Sequence, residues 1–172
     1  MSKDKRFLNF SFGTMHKYKT HVTNKNTNCR RRPPEEIICS LIKEVFAGHP
    51  GPVVIAVGGP GGTGKSIFSR KLAGLLKDSS VLRLDDYKTP RSVRKGLNIF
   101  GAHPEANQMS LAAGHISSIK QNTSFDKPLY NAVTGIADMT EKFVPGRFNI
   151  LDGEISTYRQ FRDDVDFSIF ID

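Results

Sequence analysis

Apolar residues in this chain fall in short runs, and the period changes from run to run. Residues 53–57, Val-Val-Ile-Ala-Val, are apolar without a break. That is the pattern of a parallel strand covered on both faces. Residues 65–77 follow with Ile67, Phe68, Leu72, Leu75 and Leu76 at helical spacing. The pattern predicts further strands at 80–84, 148–151 and 166–172, and a helix over 106–120 carrying Met109, Leu111, Ala112, Ile116 and Ile119. Residues 88–105 read as loop on Pro90, Gly96, Gly101 and Pro104. Residues 125–144 read as short strands or a hairpin, broken at Gly135, and 157–162 as a short helix. Before the first strand, Pro33-Pro34 and Glu35-Glu36 start a helix. Its Ile37, Ile38, Leu41, Ile42, Val45 and Phe46 share a face, and Gly48 and Pro50 stop it. Strands alternating with helices predict an α/β fold: a parallel sheet with helices on both faces.

Composition adds limits. A chain of 172 residues suits one domain. No apolar run approaches the roughly 20 residues of a membrane span, and no secretory leader opens the chain. We read a cytoplasmic protein without a membrane partner. Cys29 and Cys39 have no metal-ligand spacing and read as free thiols in a reducing compartment.

The formal net charge of +8 suggests nucleic acid until it is located. Residues 1–34 hold nine Lys and Arg against one Asp, so the rest of the chain is neutral. We read 1–34 as a basic, mostly disordered extension and 35–172 as the folded domain. Phe7, Phe10 and Phe12 stand out in the extension without an account. Nucleic-acid binding, if any, belongs to that extension and its Arg30-Arg31-Arg32 cluster. An organelle address is a further reading of its acid-poor composition.

The stretch after the first strand carries the chemistry. Gly59, Pro60, Gly61, Gly62, Thr63, Gly64, Lys65 and Ser66 complete the pattern G-x-x-x-x-G-K-[ST] between a strand and a helix. Glycines let successive N–H groups point at one anion, and the following helix adds its positive end. The Lys65 ammonium can reach the β- and γ-phosphates of ATP, and the Ser66 hydroxyl can hold Mg²⁺. Two further strand ends carry carboxylates, Asp85 and Asp152. In parallel α/β sheets the ligand sits beyond those ends. Lys65, Ser66 with Asp152, and Asp85 therefore suit phosphoryl transfer as cation, metal ligands and acceptor base. Glu154 reads either as a helper of the metal or as an exposed side chain. Asp86 reads as a helper or cap. Arg91, Arg94 and Lys95 suit an anionic acceptor, or are an ordinary solvated loop.

Over about 53–172 the order of motifs resembles the uridine kinase and phosphoribulokinase family of P-loop kinases. The resemblance rests on the loop Gly59 to Ser66, on Leu84-Asp85-Asp86-Tyr87, on His103-Pro104-Glu105-Ala106, on Lys127-Pro128-Leu129-Tyr130 and on Ile150-Leu151-Asp152-Gly153. It implies a P-loop NTPase fold and an ATP–Mg²⁺-dependent kinase acting on a hydroxyl of a nucleoside, sugar phosphate or related polyol. By the same resemblance Asp85 is the base and lies near the metal. Tyr87, His103 and Tyr130 join Arg91 and Arg94 as candidate acceptor residues; His103 reads equally as a structural histidine bonded to backbone. Two departures concern the acceptor. Phe100-Gly101-Ala102 lacks the carboxylate that uridine kinases carry before His-Pro, and Thr134-Gly135 stands where they carry a histidine. These kinases also continue into an arginine-bearing lid, so the chain reads as a C-terminally truncated kinase. The alternative functions are a non-catalytic nucleotide-binding fragment and nucleic-acid binding through the basic extension. A homo-oligomer is compatible with either kinase reading.

Overall fold

The computed structural model describes residues 7–10, as backbone, and residues 32–172. Along the chain the elements are β1 (Phe7–Phe10), α1 (Pro34–Val45), β2 (Val53–Gly58), α2 (Lys65–Leu76), β3 (Ser79–Arg83) and α3 (Arg91–Gly96). They continue with α4 (Met109–Lys120), β4 (Phe125–Asn131), β5 (Ile136–Phe143), β6 (Phe148–Asp152) and β7 (Phe167–Ile171). Strands β1, β7, β2, β6 and β3 lie side by side in that order, and every pairing is parallel. Strand β2 is buried at all its positions, as its unbroken apolar run requires.

Alternate residues of the central strands feed two cores. Val53, Ile55, Val57 and Ile150 pack with Ile38, Ile42, Leu72 and Leu76 of α1 and α2. Val54, Ala56 and Leu151 pack with Ala112, Ile116 and Ile119 of α4 and with Phe161. The sheet is thus covered on both faces, the α/β arrangement that the sequence predicts. No helix among the described residues is long and apolar enough to cross a membrane.

Several expectations need correction. Within the extension expected to be mostly disordered, residues 7–10 form a strand paired with β7. An edge strand offers backbone hydrogen-bonding groups that a passing segment can pair with, whatever its composition. The expectations for Phe12, Cys29 and the Arg30-Arg31 part of the basic cluster fall on residues 1–6 and 11–31, outside the described residues. In the segment read as loop, Pro90 and Gly96 bound a short helix, α3, instead of dissolving it. A proline before the first turn and a glycine at the last suit a helix's two ends. The expected helix at 157–162 is a pair of 3₁₀ turns, Glu154–Thr157 and Arg159–Phe161, with extended Tyr158 between them. Strand β3 stops at Arg83, so Asp85 belongs to a 3₁₀ turn, Leu84–Tyr87.

Strands β4 and β5 form a separate antiparallel hairpin. Its Phe125 and Phe143 stack at 5.1 Å between centroids, and His115 of α4 stacks on Phe125 at 4.1 Å. This stack fastens the hairpin to the α4 side of the sheet.

Candidate active site

The turn between β2 and α2 is fixed by two glycines. Gly59 has φ +138°, and a Cβ there would lie 1.9 Å from the Ile171 carbonyl oxygen. No side chain fits between the loop and the end of β7. Gly64 caps α2 in the left-handed region at φ +88°. Inside the loop the Pro60 carbonyl accepts from Lys65 Nζ at 2.5 Å and from Thr63 Oγ1 at 2.9 Å. Lys65 is buried on the inner side of the first helical turn.

A cavity of about 450 Å³ opens on this loop. Gly61, Gly62, Gly64, Lys65 and Ser66 border it, and so do Asp85, Lys88 and Glu154. Three strand-end regions therefore meet here: the loop after β2, the turn after β3 and the turn after β6. Asp85 is half exposed, and its carboxylate is 2.9 Å from Lys88 Nζ. Asp152 stands behind the wall. It is buried, and its Oδ1 accepts from Ser69 Oγ at 3.2 Å, which ties β6 to α2. Glu154, for which one of the two readings from the sequence is a helper of the metal, borders the cavity, whereas Lys88 and Ser69 were not read from the sequence. Lys88 had one available signal, three residues after Asp85 on a tight turn.

The neighbouring Asp86 has a different place. It is buried, with Lys127 Nζ of β4 at 2.9 Å from Oδ2 and the Tyr130 N–H donating to Oδ1 at 3.4 Å. Glu141 meets the same ammonium at 3.0 Å from the exposed side. This pair fastens the hairpin to the turn that carries Asp85. Removing one partner of a buried pair leaves an uncompensated charge and costs about 3–5 kcal/mol. Lys127→Met is expected to lower the melting temperature by at least about 6 °C. A thermal melt checks it, and an unchanged midpoint would count against the buttress.

The candidate acceptor residues separate. Tyr87 is withdrawn from the site: it is fully buried, and its hydroxyl is 2.7 Å from His115 Nδ1. Burial, with the Asp86 charge adding to it, holds that phenol well above its ordinary range. Arg94 donates to the Thr89 carbonyl at 2.8 Å and to the Tyr130 hydroxyl at 2.6 Å, and its guanidinium lies over the Tyr130 ring. Arg91 donates to the Ala132 and Val133 carbonyls of the hairpin turn. Both arginines thus anchor α3 to the hairpin. His103 is exposed, and its Nδ1 accepts from the Glu105 N–H, capping the turn Pro104–Ala106. None of these five residues borders the cavity.

Burial also lowers the His115 imidazole pKa. As pH falls, the unfolded chain takes up that proton first. The stability held by neutral His115 is complete above about pH 6.5 and declines below it. The melting temperature is expected to fall between pH 7 and pH 5, with a shallower fall in His115→Phe. Equal slopes in the two proteins would contradict this assignment.

A phosphate loop between the first core strand and its helix, in a parallel sheet covered on both faces, defines a P-loop NTPase fold. Residues 54–172 match the model of the phosphoribulokinase/uridine kinase family, and the chain belongs to that family. A phosphoribulokinase from Synechocystis sp. is 36% identical over 124 residues, which cover 70% of this chain and 37% of that protein. A uridine kinase from Escherichia fergusonii is 29% identical over 132 residues, covering 70% of this chain and 62% of the relative. A solved structure described as a possible uridine kinase from Bacillus stearothermophilus superposes with a TM-score of 0.71 at 16% identity. It covers 80% of this chain and 79% of its own, and at that identity it speaks for the fold. The chain spans between 35% and 42% of the length of the phosphoribulokinases it matches.

Proposed function

We propose that this domain binds ATP with Mg²⁺ and transfers the γ-phosphoryl group to a hydroxyl of a small molecule, a sugar phosphate or a nucleoside. The observation that carries the reading is the single cavity bordered by Lys65, Ser66 and Asp85. A cation, a hydroxyl and a carboxylate at one phosphate loop are the groups that in-line phosphoryl transfer uses.

The donor set fits Mg²⁺, which takes one or two protein carboxylates and completes its shell with phosphate oxygens and water. Ser66 and Asp85 would hold it directly, and Asp152 from behind through its grip on α2. When bound, the ion neutralises charge on the β- and γ-oxygens. Lys65 adds a second positive charge there. Asp85 accepts the proton of the acceptor hydroxyl as the new P–O bond forms, and ADP leaves in line. Because Lys88 sits beside that carboxylate in the cavity wall, an acceptor with its own anionic group gains a partner. That favours a sugar phosphate over a neutral nucleoside, in keeping with the absent carboxylate before His103. The test is acceptor-dependent ADP release, followed with ATP–Mg²⁺ and, in turn, ribulose 5-phosphate and uridine. Release stimulated by the phosphorylated sugar supports the reading. Release that neither acceptor changes would count against it.

A further inference from the structure

Glu154 opens the 3₁₀ turn after β6 and is half-buried. Its carboxylate lies close to the phosphate loop. A Cβ placed on Gly61 would lie 3.1 Å from Glu154 Oε1, and one placed on Gly101 would lie 3.5 Å from Oε2. The carboxylate thus fills the gap between the loop and the segment preceding His103, and it borders the same cavity as Lys65 and Asp85. The other charged groups of that cavity are engaged. Lys65 donates to the Pro60 carbonyl, and Asp85 pairs with Lys88. Among the described residues, no hydrogen bond or ion pair engages the Glu154 carboxylate.

A carboxylate in that position acts in two opposite ways. Toward a bare triphosphate on the loop it is a like charge in a partly enclosed site, where water screens poorly. Toward a divalent cation it is an oxygen ligand of the kind Mg²⁺ accepts beside phosphate oxygens. Among the described residues no group of three or more His, Cys, Asp or Glu is placed to hold a metal alone. An ion here would take its remaining ligands from the nucleotide and water.

We infer that Glu154 makes nucleotide binding conditional on the divalent cation: it disfavours metal-free ATP and supplies an oxygen ligand to the ion that accompanies ATP. This rests on the nucleotide-site reading above. It also assigns a direct contact to Glu154 and leaves Asp152, bonded to Ser69, in the supporting role.

The experiment is an equilibrium titration of the full chain with ATP, in EDTA and in excess Mg²⁺, for the unaltered protein and for Glu154→Gln. The substitution keeps the side-chain size on a half-exposed turn, and a thermal melt verifies the fold. In the unaltered protein Mg²⁺ is expected to tighten ATP binding strongly. In Glu154→Gln, metal-free ATP should bind about tenfold more tightly, and the tightening by Mg²⁺ should shrink by at least that factor. A second readout is the paramagnetic spectrum of Mn²⁺ bound with ATP, which should change in the variant. Equal shifts of both affinities, or no shift, would overturn the inference while leaving the nucleotide site standing. Absence of ATP binding to the unaltered protein in either condition would overturn both.

Discussion

Asp85→Asn is expected to slow phosphoryl transfer by about 10²–10⁴, while the affinity for ATP–Mg²⁺ falls only modestly, through the lost contact to the ion. The substitution keeps the size of the side chain and removes its basicity. Asp85 reaches the cavity from the turn after β3, and its exposure leaves room for an acceptor hydroxyl. Its neighbour provides the control. Asp86 is buried against Lys127 and reaches no cavity atom. Asp86→Asn should therefore act on stability more than on the turnover of the molecules that remain folded. Steady-state kinetics normalised to folded protein, with a melt for each variant, separates the two. Loss of turnover in folded Asp86→Asn, with Asp85→Asn active, would put the base one residue later.

Lys65→Ala is expected to weaken ATP–Mg²⁺ binding by about 10–150-fold, the worth of one charged hydrogen bond, and to abolish measurable transfer. No second Lys or Arg lies in the loop to take its place. The ammonium now rests on the Pro60 carbonyl, so binding exchanges a neutral acceptor for a charged one. Calorimetry measures the difference; unchanged affinity would contradict a phosphate-binding role for the loop.

Contiguous signals are legible in this sequence, and long-range pairings are not. The loop Gly59 to Ser66 is contiguous, so its spacing alone announces it. The core strands β2 and β6 are buried on both faces, and an unbroken apolar run says so. Lys127 in β4 looks in sequence like one more solvated strand lysine. Its partner Asp86 is 41 residues earlier, and only the folding of the hairpin onto the turn brings them together. Ser69 and Asp152 are separated by 83 residues in the same way. Arg94 and Lys95 advertise charge, yet Arg94 is committed to Tyr130 and Thr89. Tyr87 carries a motif resemblance, but its ring belongs to the core under α4. Glu154 was ambiguous because the character of a lone carboxylate depends on what the turn aims it at, and here that is Gly61.

The central claim is transfer of phosphorus from ATP to a hydroxyl of a small molecule. The most direct measurement is a ³¹P NMR time course with the chain, ATP, Mg²⁺ and ribulose 5-phosphate. The account predicts a new phosphomonoester resonance that grows in step with ADP and vanishes in Asp85→Asn. ADP growing with inorganic phosphate alone, or no change in the spectrum, would contradict it.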